Sequence, residues 1–86
     1  MRTIQQREAI IAKLIEKLRL ERTGQGLSLN EVAARAGLSR TMVMRVEKGE
    51  RLPTIDTLLR ITDALGCRLG DLLAEAEQAA ESKEPG

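Results

Sequence analysis

Residues 28 to 53 carry closely spaced signals for starting and stopping helices, and they constrain the fold more than any other stretch of the chain. Ser28 is followed three residues later by Glu31, the spacing of a capping box in which each side chain bonds to the backbone N–H of the other residue. A helix is therefore predicted to start at Leu29. Gly37 supplies the positive φ that is needed just after a helix end, so we expect this helix to stop there.

A second short helix is predicted directly after this turn. Leu38 is an apolar residue between the two helices, and Ser39 is an N-cap for a helix that runs through residues 40–48. Only Val43 and Val46 share the inward face with Leu38, which leaves an outward face free. That face consists of Arg40, Thr41, Met44, Arg45 and Lys48. Two helices joined by a tight turn, the second with a basic free face, are typical of a helix-turn-helix, a motif that inserts its second helix into the major groove of DNA.

Apolar residues at three-, four- and seven-residue spacings predict three further helices. The first runs from about Thr3 to Arg22, with an inward stripe of Ile4, Ile11, Leu14, Ile15 and Leu18. The second follows the N-cap Thr54 and ends at Gly66, with an inward stripe of Ile55, Leu58, Leu59, Thr62 and Leu65. The last carries Leu69, Leu72, Leu73, Ala76 and Ala80 along one side. No strand pattern is present, so we predict a compact, all-α, five-helix domain over residues 1–80 with a polar tail at 81–86.

The composition argues against catalysis and against metal or cofactor binding. Eighty-six residues can bury only a small core, and no aromatic residue is present to enlarge it. There is no histidine, and the only cysteine, Cys67, is interpreted as a packed side chain, so ordinary zinc sites and Ser–His or Cys–His nucleophile pairs are excluded. We therefore expect a protein that is not an enzyme and needs no cofactor and no metal. The lack of a signal-peptide pattern, and of any apolar run approaching about eighteen residues, predicts a cytoplasmic chain with no membrane partner.

The net charge of +1 conceals an asymmetry along the chain. Residues 1–51 hold eleven Lys and Arg against six Asp and Glu, a balance of +5, whereas residues 52–86 hold three against seven, a balance of −4. The predicted helix-turn-helix lies in the positive half. A basic surface backed by an acidic one is expected of a protein that faces phosphates, and ordinary solvated helix faces are the alternative explanation for the charge alone.

From about residue 15 to residue 73 the chain resembles the lambda-repressor-like, XRE-type helix-turn-helix domains of phage and bacterial regulators. The resemblance rests on three runs, GLSLNEVAARAGLS, VEKGERLPT and LLRITDALGCRL, which begin at residues 26, 46 and 58. It implies the five-helix fold of that family. In this chain the N-terminal helix extends beyond the usual start of the family fold.

The resemblance also implies roles for individual residues. In that family an arginine of the first helix pairs with a glutamate near the end of the recognition helix, and ungapped spacing places this structural ion pair at Arg22 and Glu47. The base-reading positions of the family fall on Arg40, Thr41 and Arg45, with Met44 beside them. Its phosphate-binding positions fall on Ser28, Ser39, Lys48 and Arg51. Two residues depart from the family pattern: Leu29 stands where many members have a phosphate-contacting glutamine, and Met44 stands where a small polar residue is common.

Three functional classes are compatible with these features. The first, which we favour, is a sequence-specific DNA-binding repressor or autoregulator that reads an operator through the major groove. The second is the antitoxin of a toxin–antitoxin pair, with its own operator and a toxin as partners, and the third is a protein-interaction module without DNA binding. Because one recognition helix reads only a few base pairs, we expect a homodimer on double-stranded DNA. Its interface is predicted on Leu69, Leu72, Leu73 and Ala76 of the last helix, assisted by Ile4, Ile10 and Ile11 of the first.

Overall fold

A computed structural model describes residues 1–81, and this part of the chain consists of five α-helices. The helices are α1 (Ile4–Gly24), α2 (Leu29–Ala36), α3 (Arg40–Glu47), α4 (Ile55–Leu65) and α5 (Leu69–Glu81). Their order and type confirm the predicted all-α, five-helix architecture with a long N-terminal helix. Of the predicted tail at 81–86, Glu81 is the last residue of α5, and the rest lies outside the described residues.

Most helices begin where a side chain bonds to the free N–H groups of the first turn. The hydroxyls of Ser28, Ser39 and Thr54 each accept such a bond at 3.0–3.1 Å, as predicted. Thr3 does the same for α1 and forms a reciprocal capping box with Gln6, which was not predicted. Helix α1 extends beyond its predicted end to Gly24, and α3 ends one residue earlier than predicted, with Lys48 as its C-cap.

All five helices contribute side chains to one hydrophobic core. The largest side chains that are fully buried are Leu18, Val32, Val43, Val46 and Thr62. Because the central residues come from α1, α2, α3 and α4, the core holds the two short helices of the helix-turn-helix against the longer ones.

The two predicted apolar stripes of α1 and α4 are buried over most of their residues and differ from the structure at their edges. The residues buried as predicted are Leu14, Ile15, Leu18, Leu58, Thr62 and Leu65. In α1, Ile10 is buried, whereas Ile4 is 64% exposed. In α4, Ile61 is buried, whereas Ile55 and Leu59 are exposed. Both helices have apolar residues on either side of the true stripe, so spacing alone could not determine which side faces the core.

Helices α1 and α5 make the most extensive helix–helix contact of residues 1–81. The buried side chains that α5 contributes to the core are Leu69, Leu72 and Ala76. At the outer end of this pair, the Arg2 guanidinium bonds to the carboxylates of Glu77 and Glu81. These bonds hold the N-terminal end of α1 against the C-terminal end of α5. None of the helices in residues 1–81 combines the length and the apolar character needed to cross a bilayer.

Candidate nucleic-acid interface

The turn between α2 and α3 consists of residues 37–39, and its own backbone bonds hold it in shape. Gly37 has φ +69°, the left-handed conformation that ends a helix and favours glycine. The Leu38 N–H donates to the Ala33 carbonyl at 2.9 Å, and the half-buried Leu38 side chain packs against the core. Ser39 then caps α3. The turn therefore fixes the direction in which α3 leaves α2.

Helix α3 has one buried face and one free face. Val43 and Val46 have no exposed surface, so they anchor the helix in the core. Arg40, Thr41 and Arg45 are exposed, as predicted for base-reading residues. Met44 is half-buried and lies between Arg40 and Lys48, one turn from each. The four predicted base-reading residues and Lys48 thus share the face of α3 that is opposite the core.

The predicted ion pair between Arg22 and Glu47 is present and bidentate. Nε of Arg22 donates to Oε2 of Glu47 at 2.7 Å, and Nη2 donates to Oε1 at 2.8 Å. The remaining nitrogen, Nη1, donates to the carbonyl oxygen of Leu27 at 2.9 Å. The bonds to Glu47 raise the pKa of Arg22, against the opposing effect of burial. Arg22 therefore ties together the end of α1, the α1–α2 loop and the end of α3.

This pairing determines the charge that α3 can offer to a ligand. Glu47 is the only acidic residue of α3, and its carboxylate is engaged by Arg22. Among residues 1–81, none of the ion pairs involves the cations on and just after α3, which are Arg40, Arg45, Lys48 and Arg51. Their charges are therefore free to meet phosphates, and the arginines can give two parallel bonds to a guanine edge.

The predicted phosphate-binding residues are all exposed. Ser28 and Ser39 cap α2 and α3, and each hydroxyl oxygen accepts an N–H of its own helix, which leaves the hydroxyl hydrogen able to bond a phosphate oxygen. Acceptance of the Ser28 N–H lowers the pKa of the Glu31 carboxyl. Lys48 is the C-cap of α3, and Arg51 lies in the loop that follows. Ser39 and Lys48 therefore mark the two ends of α3.

Leu29, one of the two departures from the family pattern, and the cysteine Cys67 are both packed residues. Leu29, at the position of the family glutamine, is half-buried against the core. Cys67 also packs against the core, and burial raises the pKa of its thiol, so it is an ordinary packed side chain as interpreted from the sequence. Across residues 1–81 there is no cluster of three or more Cys, Asp or Glu side chains suited to a metal ion.

The prediction of a dimer interface on α5 is wrong for three of the four residues assigned to it there. Leu69, Leu72 and Ala76 are buried within a single chain, because the long α1 packs along α5 and covers them. They are therefore not available to a second copy. Of the other residues predicted for this contact, Ile10 is buried, Leu73 and Ile11 are half-buried, and Ile4 is exposed.

A different apolar surface is exposed on the loop after α3 and on α4. Leu52, Ile55 and Leu59 are 72%, 64% and 45% exposed and follow one another at spacings of three and four residues. Leu59 also lines an open groove with Cys67 and Arg68. Ile55 and Leu59 were predicted to face the core, so this exposed surface was not predicted from the sequence. The available signal was Leu52, an apolar residue in the loop that leads into α4.

Known proteins resemble this chain over the same region. The family model for the helix-turn-helix matches residues 18–72, more than half of the chain. The HTH-type transcriptional regulator y4dJ of Sinorhizobium fredii is 35% identical over 57 residues, which are 66% of this chain and 74% of that protein.

Solved structures share the arrangement of the helices. The restriction-modification controller protein C.AhdI from Aeromonas hydrophila is 34% identical, with a TM-score of 0.68 over 72% of this chain and 94% of that one. The clp gene regulator ClgR from C. glutamicum is 27% identical, with a TM-score of 0.73 over 90% of this chain and 96% of that one.

The bonded turn, the anchored α3 and its unpaired basic face define a DNA-binding transcriptional regulator. The chain belongs to the helix-turn-helix family, in its lambda-repressor-like, XRE-type form.

Proposed function

We propose that this protein is a sequence-specific repressor or autoregulator that binds an operator as a homodimer. In each subunit α3 enters the major groove, where a small set of side chains reads base edges: Arg40, Thr41, Met44 and Arg45. A second set binds the flanking phosphates: Ser28, Ser39, Lys48 and Arg51. The phosphate contacts supply affinity and register, whereas the base contacts supply sequence preference.

The charge pattern of α3 is the observation that carries this proposal. Arg40 and Arg45 are exposed on its free face without an ion pair among the described residues, while Glu47 is turned toward Arg22. A helix that only needed to be soluble would gain from mixed charge on its free face. A helix that faces the negative potential of DNA needs the carboxylate removed, as it is here.

A second copy is needed because one eight-residue helix reaches only a few base pairs. Two copies related by a two-fold axis would read half-sites about 34 to 36 Å apart. We assign the contact to Leu52, Ile55 and Leu59, which form the exposed apolar surface described above. Since Leu52 directly follows Arg51 in the sequence, a two-fold axis through this surface would lie beside the phosphate-binding loop.

The relatives support a regulatory role. C.AhdI is a restriction-modification controller and ClgR is a clp gene regulator. An antitoxin would use the same DNA-binding face and would cover the apolar surface with a toxin, so a toxin encoded beside this gene would favour that alternative. A protein-interaction module without DNA binding would leave the unpaired cations of α3 without a use.

The test is selection of bound duplexes from a random-sequence library, followed by titration of the selected duplex and a scrambled duplex at one fixed salt concentration. We expect a palindromic sequence that binds at least about a thousandfold more tightly than the scrambled duplex. The control is the double variant Arg40→Ala, Arg45→Ala, which should keep the fold and lose the preference. Equal binding of both duplexes by the wild-type protein would refute sequence-specific recognition.

A further inference from the structure

The turn between α2 and α3 receives a bond from outside the helix-turn-helix. Nη1 of Arg60, on α4, donates to the carbonyl oxygen of Ala36, the last residue of α2, at 3.4 Å. A Cβ at position 37 would lie only 3.2 Å from the same nitrogen. The guanidinium therefore lies directly against the turn, and Gly37 provides the space for it as well as the positive φ.

The Arg60 guanidinium is held at a second point. Its Nε donates to Oδ2 of Asp56, one turn earlier on α4, at 2.9 Å. A planar guanidinium that is bonded through two of its nitrogens has a defined orientation, which a lysine in its place would not have.

The bond to Ala36 completes the end of α2. The last carbonyls of a helix have no partner within the helix and carry the negative end of its dipole. The carbonyls of Ala33 and Ala34 are bonded by the N–H groups of Leu38 and Gly37 within the turn. The Ala36 carbonyl is the acceptor that Arg60 reaches, and a cation is the favourable donor at this end of a helix.

We propose that Arg60 is a positioning residue for DNA recognition, which holds the turn so that α3 leaves α2 at the angle required for base reading. The proposal rests on the DNA-binding function proposed above. Arg60 acts through the Ala36 carbonyl and needs no contact with DNA. Its removal therefore affects the reading of a particular sequence more than the general attraction to phosphates.

The central variant is Arg60→Ala, and Arg19→Ala is its matched control. Arg19 is exposed on α1 and forms no ion pair among the described residues, so its loss removes one positive charge without touching the turn. On the duplex selected by the wild-type protein, Arg60→Ala should bind about three- to tenfold more weakly than Arg19→Ala, the effect of losing one partly exposed hydrogen bond. On a scrambled duplex the two variants should bind alike.

Arg60→Lys separates geometry from charge. It restores the charge, so it should bind the scrambled duplex like the wild-type protein. On the selected duplex it should still bind almost as weakly as Arg60→Ala, because one ammonium cannot maintain both bonds. Equal losses on both duplexes for Arg60→Ala, with a salt slope about one unit lower, would instead make Arg60 a phosphate contact and overturn the proposal.

Amide hydrogen exchange provides a readout that does not depend on DNA. In Arg60→Ala the amides of Gly37 and Leu38 should exchange faster than in the wild-type protein, while the amides in the middle of α1 keep their rates. Unchanged rates at the turn, or an unchanged ratio of selected to scrambled binding, would overturn the proposal. If the wild-type protein selects no sequence at all, the proposed function fails together with the role in base reading, a result distinct from failure of Arg60 alone.

Discussion

Arg22 and Glu47 form a bidentate ion pair that joins the end of α1 to the end of α3. The pair fixes the recognition helix across the core, and it also removes the only carboxylate of α3 from the side that would face DNA. An unpaired carboxylate at that position would repel phosphates. One structural contact therefore serves both the orientation of α3 and the uniform positive charge of its free face.

Replacing Glu47 with Ala should destabilise the fold. The Arg22 side chain is only 15% exposed, and in the variant it would keep a single bond, to the Leu27 carbonyl. Loss of one partner of a largely buried pair costs about 3 kcal/mol, which urea unfolding can measure. The control Glu50→Ala removes an exposed carboxylate from the next loop and should change stability by less than about 0.5 kcal/mol. A Glu47→Ala protein that unfolds like the wild type but fails to bind DNA would place Glu47 on the recognition surface instead.

The features that could be predicted from the sequence are the local ones. The capping bonds between Ser28 and Glu31, and the bond from Ser39 to the first turn of α3, each join residues three positions apart. Such bonds depend on the local sequence and not on how the helices pack against one another. Gly37 likewise takes its conformation from the helix it ends. The ion pair of Arg22 and Glu47 spans 25 residues and was predicted only through the family resemblance.

The features that could not be predicted depend on how helices are placed against one another. The apolar side of α5 could serve as an interface or as part of the core, and the packing of the long α1 against it decided for the core. In α4, Ile61 and not Ile55 faces inward for the same kind of reason. The i, i+4 spacing of Asp56 and Arg60 is visible in the sequence, but the reach of Arg60 to Ala36 depends on the packing of α2 against α4.

Arg45 and Lys48 should have separable effects on DNA binding. If Arg45 makes two bonds to one base, Arg45→Ala should cost about 1 to 3 kcal/mol on the operator and much less on unrelated DNA. Lys48→Ala should weaken both equally and lower the slope of log affinity against log salt by about one unit, because one fewer counterion is released. Both proteins should stay folded, since the two side chains lie opposite Val43 and Val46. Both effects can be measured by titrating operator and unrelated duplexes at several salt concentrations. If Arg45→Ala lost equal affinity for the two duplexes, Arg45 would not be a base-reading residue.

The capping box of α2 should make stability depend on pH. The pKa of Glu31 is lowered in the folded state by the N–H bond from Ser28, so the carboxylate stabilises the fold above its unfolded pKa, and this contribution is lost as the pH falls through the folded pKa. Glu31→Gln keeps an acceptor for the capping box but does not titrate. The wild-type protein should therefore lose more unfolding free energy than Glu31→Gln between about pH 6 and pH 3, as measured by urea unfolding. A difference between the two proteins that does not vary with pH would show that the carboxylate charge plays no part in the cap.

The exposed apolar surface predicts which substitution separates the subunits. Ile55 and Leu59 lie on one exposed side of α4, so a lysine at position 59 would bury a charge between two copies without disturbing the core of either. Leu59→Lys should sediment as a monomer at tens of micromolar, where the wild-type protein should sediment as a dimer, and its melting temperature at low concentration should be unchanged. It should still bind an isolated half-site but lose the additional affinity for the full operator.

Ile4→Lys tests the other exposed residue from the predicted contacts, at the start of α1. If Ile4→Lys dissociates the dimer and Leu59→Lys does not, the two copies meet through the N-terminal end of α1 and the α4 surface is free for another partner.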